Sequence, residues 1–144
     1  MNFNNYKIIT KKETTTVILL VLFSTFIRIP IVLMYGDTSL ENEWATLFYN
    51  LSNYGTLAIK NFDGFLLPNL WMPPLYAYFI YILSFLNLEN ENFILLILSS
   101  QILLSSISVG IFYKINKNFF SEKISMFGSL LFSLFPLHLY ACSQ

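Results

Sequence analysis

The chain has 144 residues, of which 56% are hydrophobic, 18% aromatic and only 11% charged, where an ordinary soluble domain is about 25% charged. Its eight basic and eight acidic side chains cancel, and the mean hydropathy is +0.61. These values exclude a disordered chain and a basic nucleic-acid-binding arm, and they point to a polytopic membrane protein. With a single cysteine, Cys142, no intrachain disulfide framework is possible.

Residues 1–13 are polar and carry Lys7, Lys11 and Lys12, so they are expected to stay in the cytoplasm. Residues 14–35 form the first apolar stretch. It is too long for the apolar core of a signal peptide, and no small-residue cleavage site follows it. It therefore reads as a first spanning helix running outward, interrupted by Arg28 and Pro30. Residues 36–72 are a polar interval with Asp37, Glu41, Glu43 and Asp63 against Lys60, an acidic balance that suits the extracytoplasmic side. Within it, Trp44, Leu47, Phe48 and Leu51 recur at helical spacing and define one apolar face. Glu43, Thr46, Asn50 and Asn53 fall on the other side. Residues 39–54 thus read as an amphipathic helix lying in the outer membrane interface, with Thr38-Ser39-Leu40-Glu41 fitting a capping box at its start. Asp37 and Asp63 read as turn residues.

Trp71-Met72-Pro73-Pro74-Leu75-Tyr76 opens the next apolar run, 74–88. Two prolines suit a first helical turn and prevent a helix from running in from before. A polar hexamer, 87–92, precedes a clean span over 93–115. Lys114, Lys117 and Lys123 mark a basic connector, and a last span is expected over 124–141. A full crossing by 74–88 would leave those lysines outside, against the positive-inside rule. A short helix that dips or lies shallowly keeps them cytoplasmic and is the preferred arrangement. The expected fold is an all-α polytopic membrane protein, with three to four membrane helices plus an amphipathic interfacial helix in the first outer loop.

Few side chains carry chemistry. Glu43, held at the interface by Trp44, can act as general base on an acceptor hydroxyl or contact a cation. Its plainer role is a solvated charge on the wet face of a surface helix, as a cap is for Glu41. Arg28 is the one strong cation inside an apolar segment. It can snorkel to headgroups or turn inward to a phosphate, which suits a guanidinium. His138 can donate to a phosphate or substrate, or be structural. Tyr76, Tyr78, Phe79, Tyr81 and Phe85 make an aromatic belt or core. No metal-ligand spacing, Gly-rich phosphate loop or Gly-x-Ser-x-Gly motif is present, so no metal or cofactor is expected, and neither soluble nucleotide binding nor serine hydrolysis has support.

The order of these features is more telling than any one of them. An arginine ends the first span. Glu43-Trp44-x-x-Leu47-x-x-Asn50-Leu51-x-x-x-Gly55 then opens the amphipathic helix, Trp71-Met72-Pro73-Pro74-Leu75-Tyr76 follows, and Phe135-Pro136-x-x-x-Tyr140-x-x-Ser143 closes the last apolar segment. This order resembles the N-terminal part of the integral-membrane glycosyltransferases of the GT-C fold. The likeness is nearest to the bacterial dolichyl-phosphate-mannose mannosyltransferase-like proteins, including the lipopolysaccharide-core and aminoarabinose transferases, and it runs from about residue 17 onward. It implies transfer, with inversion, of a sugar from a polyprenyl-phosphate carrier to a lipid, glycan or protein hydroxyl. The enzyme would be a multi-pass inner (plasma) membrane protein whose active site faces outside the cytoplasm. It implies Glu43, or the adjacent Glu41, as the base, and Arg28, Pro73, Pro74, Tyr76 and His138 as substrate contacts. Many relatives have a paired Asp-Glu where this chain has Leu40-Glu41, which leaves the register of the base open. Relatives run to several hundred residues, so residues 14–144 are expected to be the N-terminal portion of such a domain, truncated after 144 and inactive alone.

Two other classes stay open. A small non-enzymatic membrane protein, acting as a subunit or flippase-like module, would use the same acidic helix as a binding surface. A transporter has less in its favour, since Arg28 is the one well-placed intramembrane charge and no pair of interrupted helices is visible.

Overall fold

The computed structural model describes residues 11–37, 39–40, 42–60, 65–68 and 72–143. Among these, α1 (Lys11–Tyr35), α2 (Asn42–Tyr54), β1 (Ala58–Lys60), β2 (Leu66–Pro68), α3 (Pro74–Ser84), α4 (Asn90–Asn116), α5 (Glu122–Ser133) and α6 (Pro136–Tyr140) follow in chain order. They form two compact units, one made of residues 1–36 and 100–144, the other of 37–99.

In the first unit, α1 has 25 residues. Its length of about 37 Å, at ~1.5 Å per residue, exceeds a hydrocarbon core of ~30 Å. Pro30 lies inside it without ending it. α1 and α4 are the two described helices long and apolar enough to cross a membrane, against the three to four membrane helices expected. The two run antiparallel. Lys117 Nζ pairs with Glu13 Oε2 at 3.0 Å, Gly110 lies against Val17 and Val21, and Arg28 reaches Ser105. The absent side chain at Gly110 sets the approach: a Cβ there would meet Val21 Cγ2 at 3.0 Å and Val17 Cγ1 at 3.1 Å. Small residues at such contacts let membrane helices pack closely. Leu20, Val109 and Tyr113 form the buried apolar cluster beside it. Lys12 pairs with Glu122 at 3.1 Å, and the Glu13 carboxylate, chiefly by its hydrogen bond, holds the Lys117 ammonium above its usual range.

The single span expected over 124–141 is two helices. α5 has 12 residues and α6 has 5, so neither is long enough to cross a bilayer, which takes about 20. The cause is Pro136 at the first turn of α6, preceded by Phe135 in extended backbone. Proline has no N–H to continue a helix and drives the residue before it out of the helical region. Along α5, Ser125, Ser129 and Ser133 are buried, and their hydroxyls donate to backbone carbonyls of Ser121, Ser125 and Leu130.

In the second unit, α2 begins at Asn42, three residues later than the expected start at 39. Thr38 and Glu41 of the capping box, and Asp63, lie outside the described residues. Asp37 Oδ1 accepts from the Ser39 backbone N–H at 3.1 Å, the local turn expected of it. The apolar face is as read: Leu47 and Leu51 are buried, and Trp44 and Phe48 half-buried. Asn50 corrects the polar side. It is buried and its Nδ2 donates to the Ala58 carbonyl at 2.7 Å. It flanks Leu47 and Leu51 on the helix, and β1 packs over that flank. Gly55 ends α2 at φ +66, its N–H bonded to the Leu51 carbonyl at 3.0 Å, a cap that favours glycine because a Cβ disfavours this backbone region.

The described residues are mostly helical, as expected, and the second unit adds one short hairpin. β1 and β2 pair antiparallel, Ala58 opposite Pro68, Ile59 opposite Leu67 and Lys60 opposite Leu66. α3 has 11 residues, about 16 Å at ~1.5 Å per residue, half the thickness of a hydrocarbon core. It buries Ala77 and Ile80 and packs on α2.

Gly110→Leu should push α1 from α4 and cost about 1–3 kcal/mol, read as a lower Tm in detergent; an unchanged Tm would show that the two helices are not in close contact there. Asn50→Ala should strand the Ala58 carbonyl at a cost of about 1–3 kcal/mol, measured as faster proteolysis of the 58–68 hairpin.

Candidate functional site

Arg28 sits two-thirds of the way along α1 and is 0% exposed. A guanidinium cannot be neutralised by losing its proton, so in an apolar helix it must find acceptors. It does not snorkel outward; it bonds inward. Nε donates to Ser105 Oγ on α4 at 2.8 Å. NH1 donates to the Ser24 carbonyl at 3.0 Å and to Ser24 Oγ, one turn back on α1. NH2 donates to His138 Nδ1 on α6 at 2.9 Å. The two basic residues that the sequence singled out separately are thus direct partners.

This contact fixes the state of the imidazole. Arginine only donates, so Nδ1 of His138 must carry no proton. The ring is therefore the neutral tautomer protonated at Nε2, and Nε2–H faces Ser105 Oγ at 3.3 Å and Ser108 Oγ at 3.5 Å. The Ser108 hydroxyl itself donates to the Ser105 carbonyl at 2.7 Å, which leaves its oxygen free to accept. Phe132 on α5 stacks on the imidazole, centroids 4.6 Å apart and planes inclined by 30°, and Phe112 stacks on Phe132 in turn.

All the partners of Arg28 are uncharged. The ion pairs among the described residues are Lys12–Glu122 and Lys117–Glu13, and neither reaches it. Four of its five N–H groups are taken. The fifth, on NH2, faces no oxygen or nitrogen acceptor among the described residues; the Cys142 sulfur beside the guanidinium is a weak acceptor. Ser24 and Ser105 accept from Arg28 through their oxygens, and their own hydroxyl protons have no acceptor among the described residues. The cluster is therefore an uncompensated buried cation ringed by unused donors, an arrangement that suits an anion.

In the second unit, Glu43 occupies the first turn of α2 and is exposed. Its neighbour Trp44 meets Tyr76 of α3 edge to face, centroids 4.7 Å apart and planes at 80°. Pro73 caps α3 in extended backbone and Pro74 is its first residue. The acidic helix and the proline-led turn are thus joined by an aromatic contact. Glu41 and Trp71 lie outside the described residues. Ser24, Ser105 and Ser108 escaped the sequence reading. Their one signal is the spacing of Ser24 four residues before Arg28 and the serine-rich run 99–108 in an otherwise apolar span.

His138→Phe should keep the stack on Phe132 and remove the acceptor for Arg28 NH2. A loss of about 1–3 kcal/mol is expected in denaturant unfolding, with His138→Gln closer to wild type; equal stability of the phenylalanine variant would mean that this hydrogen bond contributes nothing. No family model, curated protein or solved structure matches the chain.

Proposed function

We propose that the chain is part of a membrane glycosyltransferase of the GT-C type, taking a sugar from a polyprenyl-phosphate carrier and passing it to a lipid, glycan or protein hydroxyl outside the cytoplasm. The observation that carries this reading is the Trp44–Tyr76 contact. It links the two motifs on which the resemblance rests, the acidic helix and the Pro73-Pro74 turn, although they stand far apart in sequence.

In this reading Glu43 is the base. It takes the proton of the acceptor hydroxyl while that oxygen bonds to the anomeric carbon. The bond from that carbon to the carrier phosphate breaks, and the electron pair leaves with the phosphate. An exposed carboxylate at the start of a helix is reachable by a bulky acceptor, and a carboxylate can serve as general base. Arg28 is the proposed contact to phosphate, by its charge and its one unused N–H, and His138 beside it is the proposed second contact.

The proposed topology has α1 running outward and α4 running back. The antiparallel pair supports it, since the Glu13–Lys117 and Lys12–Glu122 ion pairs gather the start of α1 and the basic connector at one end. The positive-inside rule assigns that end to the cytoplasm.

The test is label transfer from a panel of polyprenyl-phosphate sugars in membranes holding the full-length enzyme of which the chain is proposed to be part. Glu43→Gln should lower transfer by about 10²–10⁴-fold with donor binding retained. Transfer at the wild-type rate by the variant would remove Glu43 as base, and absence of transfer from every donor would favour the non-enzymatic subunit.

A further inference from the structure

We propose that the Arg28–His138 cluster is a proton-coupled site for a phosphate monoester, in which His138 takes up one proton as the anion binds. Such coupling rests on the lipid-phosphate reading above. Its test reads binding and protonation rather than transfer, so the two can fail separately.

The charge balance of the cluster leads there. Arg28 supplies one fixed positive charge, fully buried, with no carboxylate in ion-pair range among the described residues. Neutral hydrogen-bond partners spread that charge without cancelling it, and a buried cation is costly until an anion joins it. A phosphate monoester carries about −1.5 to −2 charges at pH 7. Arg28 can balance only one of them. The groups around His138 are Arg28 from α1, Ser105 and Ser108 from α4, the ring and the backbone carbonyl of Phe132 from α5, and Cys142 beyond α6 against Arg28. Among these, His138 is the one that can gain a positive charge, because Arg28 is charged already and the Cys142 thiol can only become negative.

The geometry supplies the exchange. Without an anion, a proton on Nδ1 would face the Arg28 guanidinium at 2.9 Å, cation against cation, so the ring stays neutral. An anion that takes the unused NH2 hydrogen and also draws over the one now held by His138 releases Nδ1. The freed nitrogen then takes a proton from solvent and donates it to a second phosphate oxygen. The hydroxyls of Ser24 and Ser105 supply further donors. Ser105 and His138 are only half-buried, which leaves the cluster an open side. A phosphodiester, with a single charge, is already balanced by Arg28 and calls for no proton. His138 thereby separates a carrier phosphate that still bears a sugar from one that has lost it, and it holds the second more tightly as pH falls.

His138 is the one histidine in the chain, so ¹⁵N-histidine labelling gives a single imidazole whose tautomer and titration are read directly by NMR in micelles. Without ligand, the Nε2–H tautomer is expected. With dodecyl phosphate, the titration midpoint should rise by about one pH unit or more, equivalent to ~10-fold tighter binding to the protonated form. The diester dodecyl methyl phosphate should leave the midpoint within a few tenths of a unit. Inorganic phosphate moving the midpoint as far as dodecyl phosphate does would assign the site to free phosphate; a smaller effect would assign it to a lipid phosphate. Arg28→Gln should abolish the ligand-induced shift, and Arg28→Lys, which keeps the charge, should retain part of it. An Nδ1–H tautomer in the free protein, or a midpoint that neither dodecyl phosphate nor inorganic phosphate moves, would overturn the proposal.

Discussion

A guanidinium buried inside an apolar helix constrains the first unit more than any other group. Arg28 cannot shed its charge, and it has turned away from the surface, so the surrounding helices must bring it oxygen and nitrogen. Ser24 comes from its own helix, Ser105 from α4 and His138 from α6. The break at Phe135–Pro136 matters for this reason. It ends α5 and restarts the chain as α6, so that the segment carrying His138 packs on α1 as well as on α5. A short helix of five residues has little cohesion of its own, and its docking depends on the contacts that His138 makes with Arg28 and Phe132.

Around that cluster the usual distribution of polarity is reversed. Ser24, Arg28, Ser106, Ser125, Ser129 and Ser133 are buried, while Leu19, Leu22, Phe26, Leu33, Leu103 and Leu104 face outward. Such a surface would be unfavourable in water and suits lipid. In lipid, apolar area gives no drive for helices to associate, and close contact of small residues with hydrogen bonding takes over. Gly110 against Val17 and Val21 is one such contact. The α5 serines are another kind, since each returns its hydroxyl to the backbone and presents a narrow face. Tyr113 Oη and Ser106 Oγ are buried without a partner among the described residues.

The second unit works by different means. α2 and α3 share an aromatic edge-to-face contact, which is worth about 0.5–1.5 kcal/mol beyond the area it buries. Asn50 bonds α2 to the hairpin through a single buried amide. One polar side chain thus turns an amphipathic helix into a platform, with the hairpin strand held on the flank that the helical wheel assigns to solvent. Glu43 remains at the open end of that platform.

Length, hydropathy and proline are local properties, and what depends on them was readable in the residues alone. The long apolar runs at 14–35 and 93–115 became α1 and α4. The double proline started α3, and the spacing of Trp44, Leu47, Phe48 and Leu51 gave the buried face of α2. Pro136 also carried a local signal, the breaking of 124–141 into α5 and α6, which hydropathy averaged over the segment concealed. The charged and titratable candidates Arg28, Glu43 and His138 stood out because such groups are rare in an apolar chain. Tertiary structure alone decided that Arg28 meets His138, 110 residues away, that Asn50 is buried, and that 58–60 pairs with 66–68. Each of these depends on which partner a polar group finds when water is excluded, and that choice is made between segments distant in sequence, where spacing along one helix carries no information.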